Sequence, residues 1–280
     1  MRPDAEASGF VPEPGLESPL AAAIAARDRG ILDLVGEAVR RRDVVLAFQP
    51  VVQARATGKV AFYEGLIRVI DPEGAIVQAA DFITQAETHE LGRKLDCLAL
   101  EAGLAALAES PDLRLSINMS ARSLGYAPWS DALRHGLAQD PTAAERLILE
   151  ISEASAMLMP DLVIPFMRGL HRQGITFALD DFGAGYTSLK NLREFTFDAI
   201  KIDGQFIRGI ENNPDNQCLV QAMLAVAEQF DMFTVAEKVE SAEAARLLAG
   251  IGVDCLQGYH FGLPVLREAK VELRRSGAGR

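Results

Sequence analysis

Eight short apolar runs punctuate the chain: Val44–Val52, Val60–Val69, Leu113–Met119, Leu147–Ile151, Thr176–Leu179, Phe197–Ile202, Phe233–Ala236 and Cys255–Phe261. Their lengths and their content of Val, Ile and Phe predict strands. The link Gln53–Lys59 between the first two is too short for a helical crossover, so these two pair antiparallel. Helical spacing of Ala and Leu predicts helices near Ala79–Glu109, Ala121–Gln139, Asp161–Gln173, Ser188–Glu194, Gln217–Phe230 and Ala242–Ala249. An amphipathic helix through Ile31, Leu32, Leu34, Val35 and Val39 precedes them, ending at the basic Arg40-Arg41-Arg42. Strands alternating with helices mean parallel sheet. Eight such strands in one domain of this length predict an α/β fold, a modified TIM (β/α)8 barrel whose first strand is antiparallel.

The polar residues are placed unevenly. The second run carries Glu64 and Arg68, four apart and so on one face of a strand. The third carries Asn118, the fourth Glu150, the fifth ends in Asp180 and Asp181, and the sixth carries Lys201 and Asp203. The seventh leads into Glu237 and the eighth contains Gln257. All lie at or beyond the middle of their runs except Gln257, which in a barrel places them toward one rim, where the active sites of this fold lie. Any one of them alone is an ordinary solvated residue at a strand end. The fifth run stops at Leu179 before two adjacent acids and Gly183-Ala184-Gly185. Both acids reach one site only if the strand ends there, because neighbours on a regular strand face opposite ways. A helix N-cap with an acidic first turn is the competing reading of that stretch.

Six carboxylates and two amides, with no histidine or cysteine, make an oxygen shell suited to Mg²⁺ or Mn²⁺ rather than zinc or copper. So anionic a shell calls for more than one cation, and two ions can clamp the attacking and leaving oxygens of a phosphate ester. Lys201 among acids reads either as a balancing ion pair or as the group that orients a nucleophilic water. Arg68 reads either as a salt-bridge partner of Glu64 or as a fork for a phosphate oxygen.

Composition narrows the classes. The chain has 280 residues, 49% of them hydrophobic, and a net charge of −11 with both signs mixed along it. That balance argues against a polymeric nucleic acid partner, which needs a basic surface. Cys97, Cys218 and Cys255 have no paired spacing and the four histidines form no metal-binding pair. No apolar run is long enough to span a membrane, and the acidic N-terminus lacks the plan of a signal peptide. A cytoplasmic location is therefore expected. Residues 1–29 read as a flexible leader and the start of the first helix, 30–270 as the barrel domain and 271–280 as a tail. The leader is too short to fold alone, so no sensory or cyclase domain is expected and regulation falls to a protein partner, oligomerisation or expression.

The motifs resemble those of the EAL-domain family, the bacterial cyclic di-GMP phosphodiesterases, from about Ile31 to Leu266. Phe48-Gln49-Pro50-Val51-Val52 is similar to the family's FQPIV motif, and Tyr63-Glu64-Gly65-Leu66-Ile67-Arg68 stands where the signature glutamate–alanine–leucine and its arginine belong. Ser116-Ile117-Asn118-Met119-Ser120, Leu149-Glu150-Ile151-Ser152-Glu153 and Asp180 through Leu189 are similar to the NxS, LExTE and DDFGTGYSSL motifs. Lys201-Ile202-Asp203, Ala236 through Glu240 and Gln257-Gly258-Tyr259 complete the set.

The resemblance implies metal-dependent hydrolysis of cyclic di-GMP to linear pGpG, with a receptor that binds without cleaving as the alternative. It implies Glu64, Asn118, Glu150, Asp180, Asp181 and Glu237 as metal ligands, with Lys201, Glu237 and Glu64 catalytic. Gln49, Arg68, Asp203 and Gln257 would contact substrate, and Glu153 would hold the Asp180–Gly185 loop. It also implies a homodimer through helices near that loop. Four positions depart from the pattern: Gly65 for alanine, Val69 for tryptophan, Ala184 for threonine and Lys238 for glycine. If the backbone at 238 needs a positive φ, a lysine there is strained and threatens the placement of Glu237.

Overall fold

The computed structural model describes residues 18–185 and 192–266. The leader through residue 17, most of the expected helix Ser188–Glu194 and the tail lie outside the described residues. In chain order the strands are β1 (Val44–Gln53), β2 (Ala56–Ile70), β3 (Ile76–Gln78), β4 (Leu115–Asn118), β5 (Leu147–Ser152), β6 (Thr176–Phe182), β7 (Ala199–Ile202), β8 (Phe233–Ala236), β9 (Cys255–Gln257) and β10 (Val265–Leu266). The strands β2, β4, β5, β6, β7, β8 and β9 lie side by side and parallel. β1 closes the ring between β9 and β2, antiparallel to both. The eight barrel strands are the eight apolar runs, and the first is reversed as the short link requires.

β3 and β10 are additions that the apolar pattern does not reveal. They pair antiparallel with the C-terminal end of β2 and the middle of β1, and are too short to carry a period. The helical segment from Ala79 is broken into a turn at Ala79–Asp81, a short helix Ile83–Ala86 and the long helix Glu90–Glu109. The segment expected at Asp161–Gln173 begins earlier, as Glu153–Leu158 followed by Pro160–His171. The helix expected from Gln217 begins at Pro214, where Asn213 accepts from the Asn216 backbone N–H and proline takes the first turn.

Leu149, Ile151, Phe177, Leu179, Ile200 and Ile202 are fully buried in the main core. A smaller apolar cluster of Val35, Ala38, Val69, Phe82, Ala86 and Leu95 fastens the helix Pro19–Arg41 to the end of β2. Val69 is completely buried there, so the position is filled by local packing. At the opposite rim Asp198 accepts the Phe177 N–H at 2.8 Å and Asp254 accepts the Thr234 N–H at 2.9 Å, each latching the start of a strand. That leaves the C-terminal rim free to carry chemistry.

Candidate active site

Lys201, on β7, is the centre of the rim and only 1% exposed. Its Nζ lies 2.8 Å from Glu150 Oε2, 2.8 Å from Glu237 Oε1, 3.2 Å from Glu64 Oε2 and 3.2 Å from Asp180 Oδ1. These acids come from β2, β5, β6 and the residue after β8, so strands far apart in sequence converge on one ammonium. Asn118, at the end of β4, donates Nδ2–H to Glu64 Oε1 at 2.9 Å, and Gln257 donates Nε2–H to Glu64 Oε2 at 2.5 Å. Gln257 also donates to Gln49 Oε1 at 3.2 Å, while Gln49 donates to the Gly262 carbonyl at 3.1 Å. Glu64, Glu237, Gln49 and Gln257 line a cavity of about 250 Å³ with Leu66, Arg208, Lys238, Glu240, Gly258 and Tyr259.

The paired aspartates are presented by a bulge rather than by a strand end. β6 continues to Phe182, but its register against β7 shifts between Leu179 and Phe182, and Asp181 has a left-handed φ of 55°. The extra residue turns Asp181 to the side of Asp180. Oxygens of Asp180, Asp181 and Glu237 lie within 4.8 Å of one another. The helix N-cap reading fails, because both acids stand within the strand. Glu153, buried at the start of the helix that follows β5, accepts the Gly183 N–H at 3.0 Å and holds the bulged segment from behind. Asp203 caps the short helix Gly204–Ile207, accepting the Gln205 N–H at 2.7 Å, and its carboxyl neighbours that of Asp181.

Arg68 is buried on β2 and donates to the Ile67 carbonyl at 2.9 Å. Among the described residues it pairs with no carboxylate, and it does not line the cavity. Of the two readings of Arg68, the salt bridge to Glu64 is not formed.

Charge crowding sets the protonation of the cluster. Burial and the Glu64 charge push Glu150 well above the usual carboxylate range. Burial, with Asp180 and Glu64 nearby, raises Glu237 to about 8 despite Lys201. Burial and the neighbouring Asp180 and Asp203 carboxyls raise Asp181 to about 6. Glu64 is also opposed by burial, yet Lys201, Gln257 and Asn118 together hold it low. Lys201 loses hydration, but the surrounding acids keep it firmly charged. Protons held by crowded acids are what a divalent cation displaces. Glu150 Oε1 is buried without a hydrogen-bond partner, Asp180 Oδ1 is buried with the Lys201 ammonium beside it but no hydrogen bond, and every candidate donor is oxygen. This donor chemistry fits Mg²⁺ or Mn²⁺.

The EAL domain model matches residues 34–264. This chain belongs to the EAL domain family. Among curated relatives it is 33% identical to the cyclic di-GMP phosphodiesterase NbdA of Pseudomonas aeruginosa over 86% of this chain and 31% of that protein. It is 32% identical to the cyclic di-GMP phosphodiesterase PdeR of Escherichia coli over 82% of this chain and 35% of that protein. The chain thus spans about a third of the length of the curated relatives it matches. Among solved structures, the PaMucR phosphodiesterase in complex with c-di-GMP superposes with a TM-score of 0.77 at 28% identity, covering 84% of this chain and 97% of that one. The FimX EAL domain of Pseudomonas aeruginosa, bound to c-di-GMP, gives 0.74 at 28% identity, covering 84% and 96%.

Two departures of this EAL domain from the family pattern have structural explanations. A methyl group at Gly65 would stand 2.7 Å from Ile117 Cδ1, and one at Gly103 would stand 2.9 Å from the same atom. Ile117 therefore fills the space that two absent side chains leave, and β2 keeps its packing. Lys238 does have a positive φ, 53°, a conformation costing an L residue about 1 kcal/mol. Glu237 nevertheless reaches Lys201, so the strain is absorbed without misplacing it.

Sequence reasoning missed one residue that supports this EAL site. Asp96, on the helix Glu90–Glu109, accepts the Ser120 N–H at 3.0 Å and the Ser123 hydroxyl at 2.6 Å, fixing the turn just after Asn118. The available signal is a lone carboxylate inside the apolar run Leu95–Leu100. Burial raises Asp96 to about 7, although Ser123 and the Ser120 N–H favour its charged form. A raised carboxyl stabilises the fold below its unfolded value near 4, and that stability is lost as pH rises through about 7. Denaturant titrations should show Asp96→Asn abolishing a loss of about 3 kcal/mol between pH 4.5 and 8.

Proposed function

We propose that this chain is a cyclic di-GMP phosphodiesterase domain that hydrolyses one phosphodiester of its substrate to give linear pGpG. The observation that carries the reading is the convergence of Glu64, Glu150, Asp180 and Glu237 on Lys201 beside an open cavity. Glu64, Asn118, Glu150, Asp180, Asp181 and Glu237 would hold two Mg²⁺ or Mn²⁺ ions. When bound, such ions supply charge for the phosphate oxygens and acidify a water. Lys201 orients the attacking water with an N–H and keeps its proton among four acids. Glu64 and Glu237 fix the position of that ammonium. Gln49 and Gln257 present amides at the cavity wall, Arg68 and Asp203 would contact the dinucleotide beyond that wall, and Glu153 holds the bulge in place through the Gly183 N–H.

Incubating the purified chain with cyclic di-GMP and Mg²⁺ or Mn²⁺ should yield pGpG by chromatography, with no product when the divalent ions are chelated. Nucleotide binding without product would favour the second reading, a receptor, for which the departures Gly65 and Lys238 beside the site acids are the support. No helix among the described residues is long and apolar enough to cross a membrane, which is compatible with action in the cytoplasm. The reading includes a homodimer formed by the helices flanking the Asp180–Gly185 segment and a regulatory protein partner.

A further inference from the structure

The acids of the site are divided between two ammonium groups. Lys201 serves the floor, where it touches Glu64, Glu150, Asp180 and Glu237. Its ion pairs do not include Asp181 or Asp203. On that side stands Lys238, immediately after Glu237 and on the wall of the same cavity. Its Nζ lies 4.0 Å from Asp203 Oδ2, and the Asp203 carboxyl neighbours that of Asp181.

The lysine stem is seated by design of the neighbouring backbone. A Cβ at Gly204 would fall 2.2 Å from Lys238 Cδ and 2.8 Å from its Cβ and Cγ. The stem therefore crosses Gly204 where no other residue leaves room. The left-handed backbone at 238, with φ 53°, aims it there. The side chain is 45% exposed, so the charge remains hydrated while it faces the acids.

We propose that Lys238 is a tethered counter-cation for the Asp181–Asp203 side of the site, and that it lowers the affinity of a divalent cation there by competing for the same carboxylates. The proposal rests on the reading that Asp181, with Asp180 and Glu237, takes a divalent cation. Two like charges brought to one group of acids repel, and at a half-exposed position the effect is moderate and screened by salt.

The test is Mn²⁺ titration of the full chain by calorimetry at low ionic strength, in the parent, Lys238→Met and Lys238→Gly. Methionine keeps an apolar stem over Gly204 and removes only the charge. It should tighten the weaker Mn²⁺ site by about three- to tenfold, and the gain should shrink at high salt. Lys238→Arg should stay near the parent. Superimposable isotherms for the parent and Lys238→Met would overturn the inference while leaving the metal site intact. Tightening in Lys238→Gly alone would assign the effect to backbone strain and overturn it as well. A parent that binds no Mn²⁺ at all would instead remove the reading on which the inference rests.

Discussion

Replacing Lys201 with alanine should reduce turnover at least about a thousandfold, because the group that orients water and answers charge on the phosphate is removed from a dry site. It should also leave Glu64, Glu150, Asp180 and Glu237 crowded with no ammonium among them. Taking one partner from a buried ion cluster costs about 3–5 kcal/mol, and acids that can take up protons recover part of it. The sign with pH follows from Glu237, already raised to about 8 against an ordinary 4.5. Such a carboxyl stabilises the fold below pH 4.5 and stops doing so as pH rises through 8. The variant should therefore melt close to the parent at pH 5 and well below it at pH 8, and Mg²⁺ should restore much of the difference. Product analysis and thermal melts at both pH values, with and without Mg²⁺, check this. Activity within a few-fold of the parent would reduce Lys201 to a balancing charge.

Gly258→Ala should be the most damaging single methyl in the chain. A Cβ there would fall 2.1 Å from the Val239 carbonyl oxygen, 2.3 Å from its nitrogen and 2.6 Å from its carbonyl carbon. Backbone cannot swing aside as a side-chain tip can. The strands meeting there are joined by the Val239 N–H to the Gln257 carbonyl at 2.9 Å and by the His260 N–H to the Val239 carbonyl at 3.2 Å. Relief of the clash would part Gln257 from Glu237, the two walls of the cavity. A loss of about 3 kcal/mol or more is expected, together with loss of nucleotide binding, measured by denaturant unfolding and calorimetry. By contrast Gly250, where a methyl would meet nothing within 4 Å, serves as the control for helix propensity alone.

The parts of this molecule that sequence reveals are those governed by short-range pattern. Each barrel strand is an apolar run, and the reversal of β1 follows from the length of one link. The rim residues were legible because strand ends in a parallel barrel share one side, so Glu150 and Glu237 could be placed together without knowing any contact. What escaped depends on shape. The bulge at Asp181 is a one-residue event, and the apolar run before it reads simply as a strand that stops. The break at Glu87–His89 carries no proline or glycine to mark it. Asp96 belongs to the site only because Ser120 and Ser123 turn toward it from another element. Lys238 looks like a defect in a motif until Gly204, 34 positions earlier, is seen lying beneath it.

Ile117 links two glycines on different elements. Its Cδ1 stands where a methyl group at Gly65 or at Gly103 would stand, so either glycine gains a methyl only if that tip turns aside. The tip is the far end of a flexible side chain, so the adjustment is one of rotamer rather than of backbone. Alanine at 65 and a smaller residue at 117 are therefore a compatible pair, and the effects of substitutions at the three positions are coupled rather than additive.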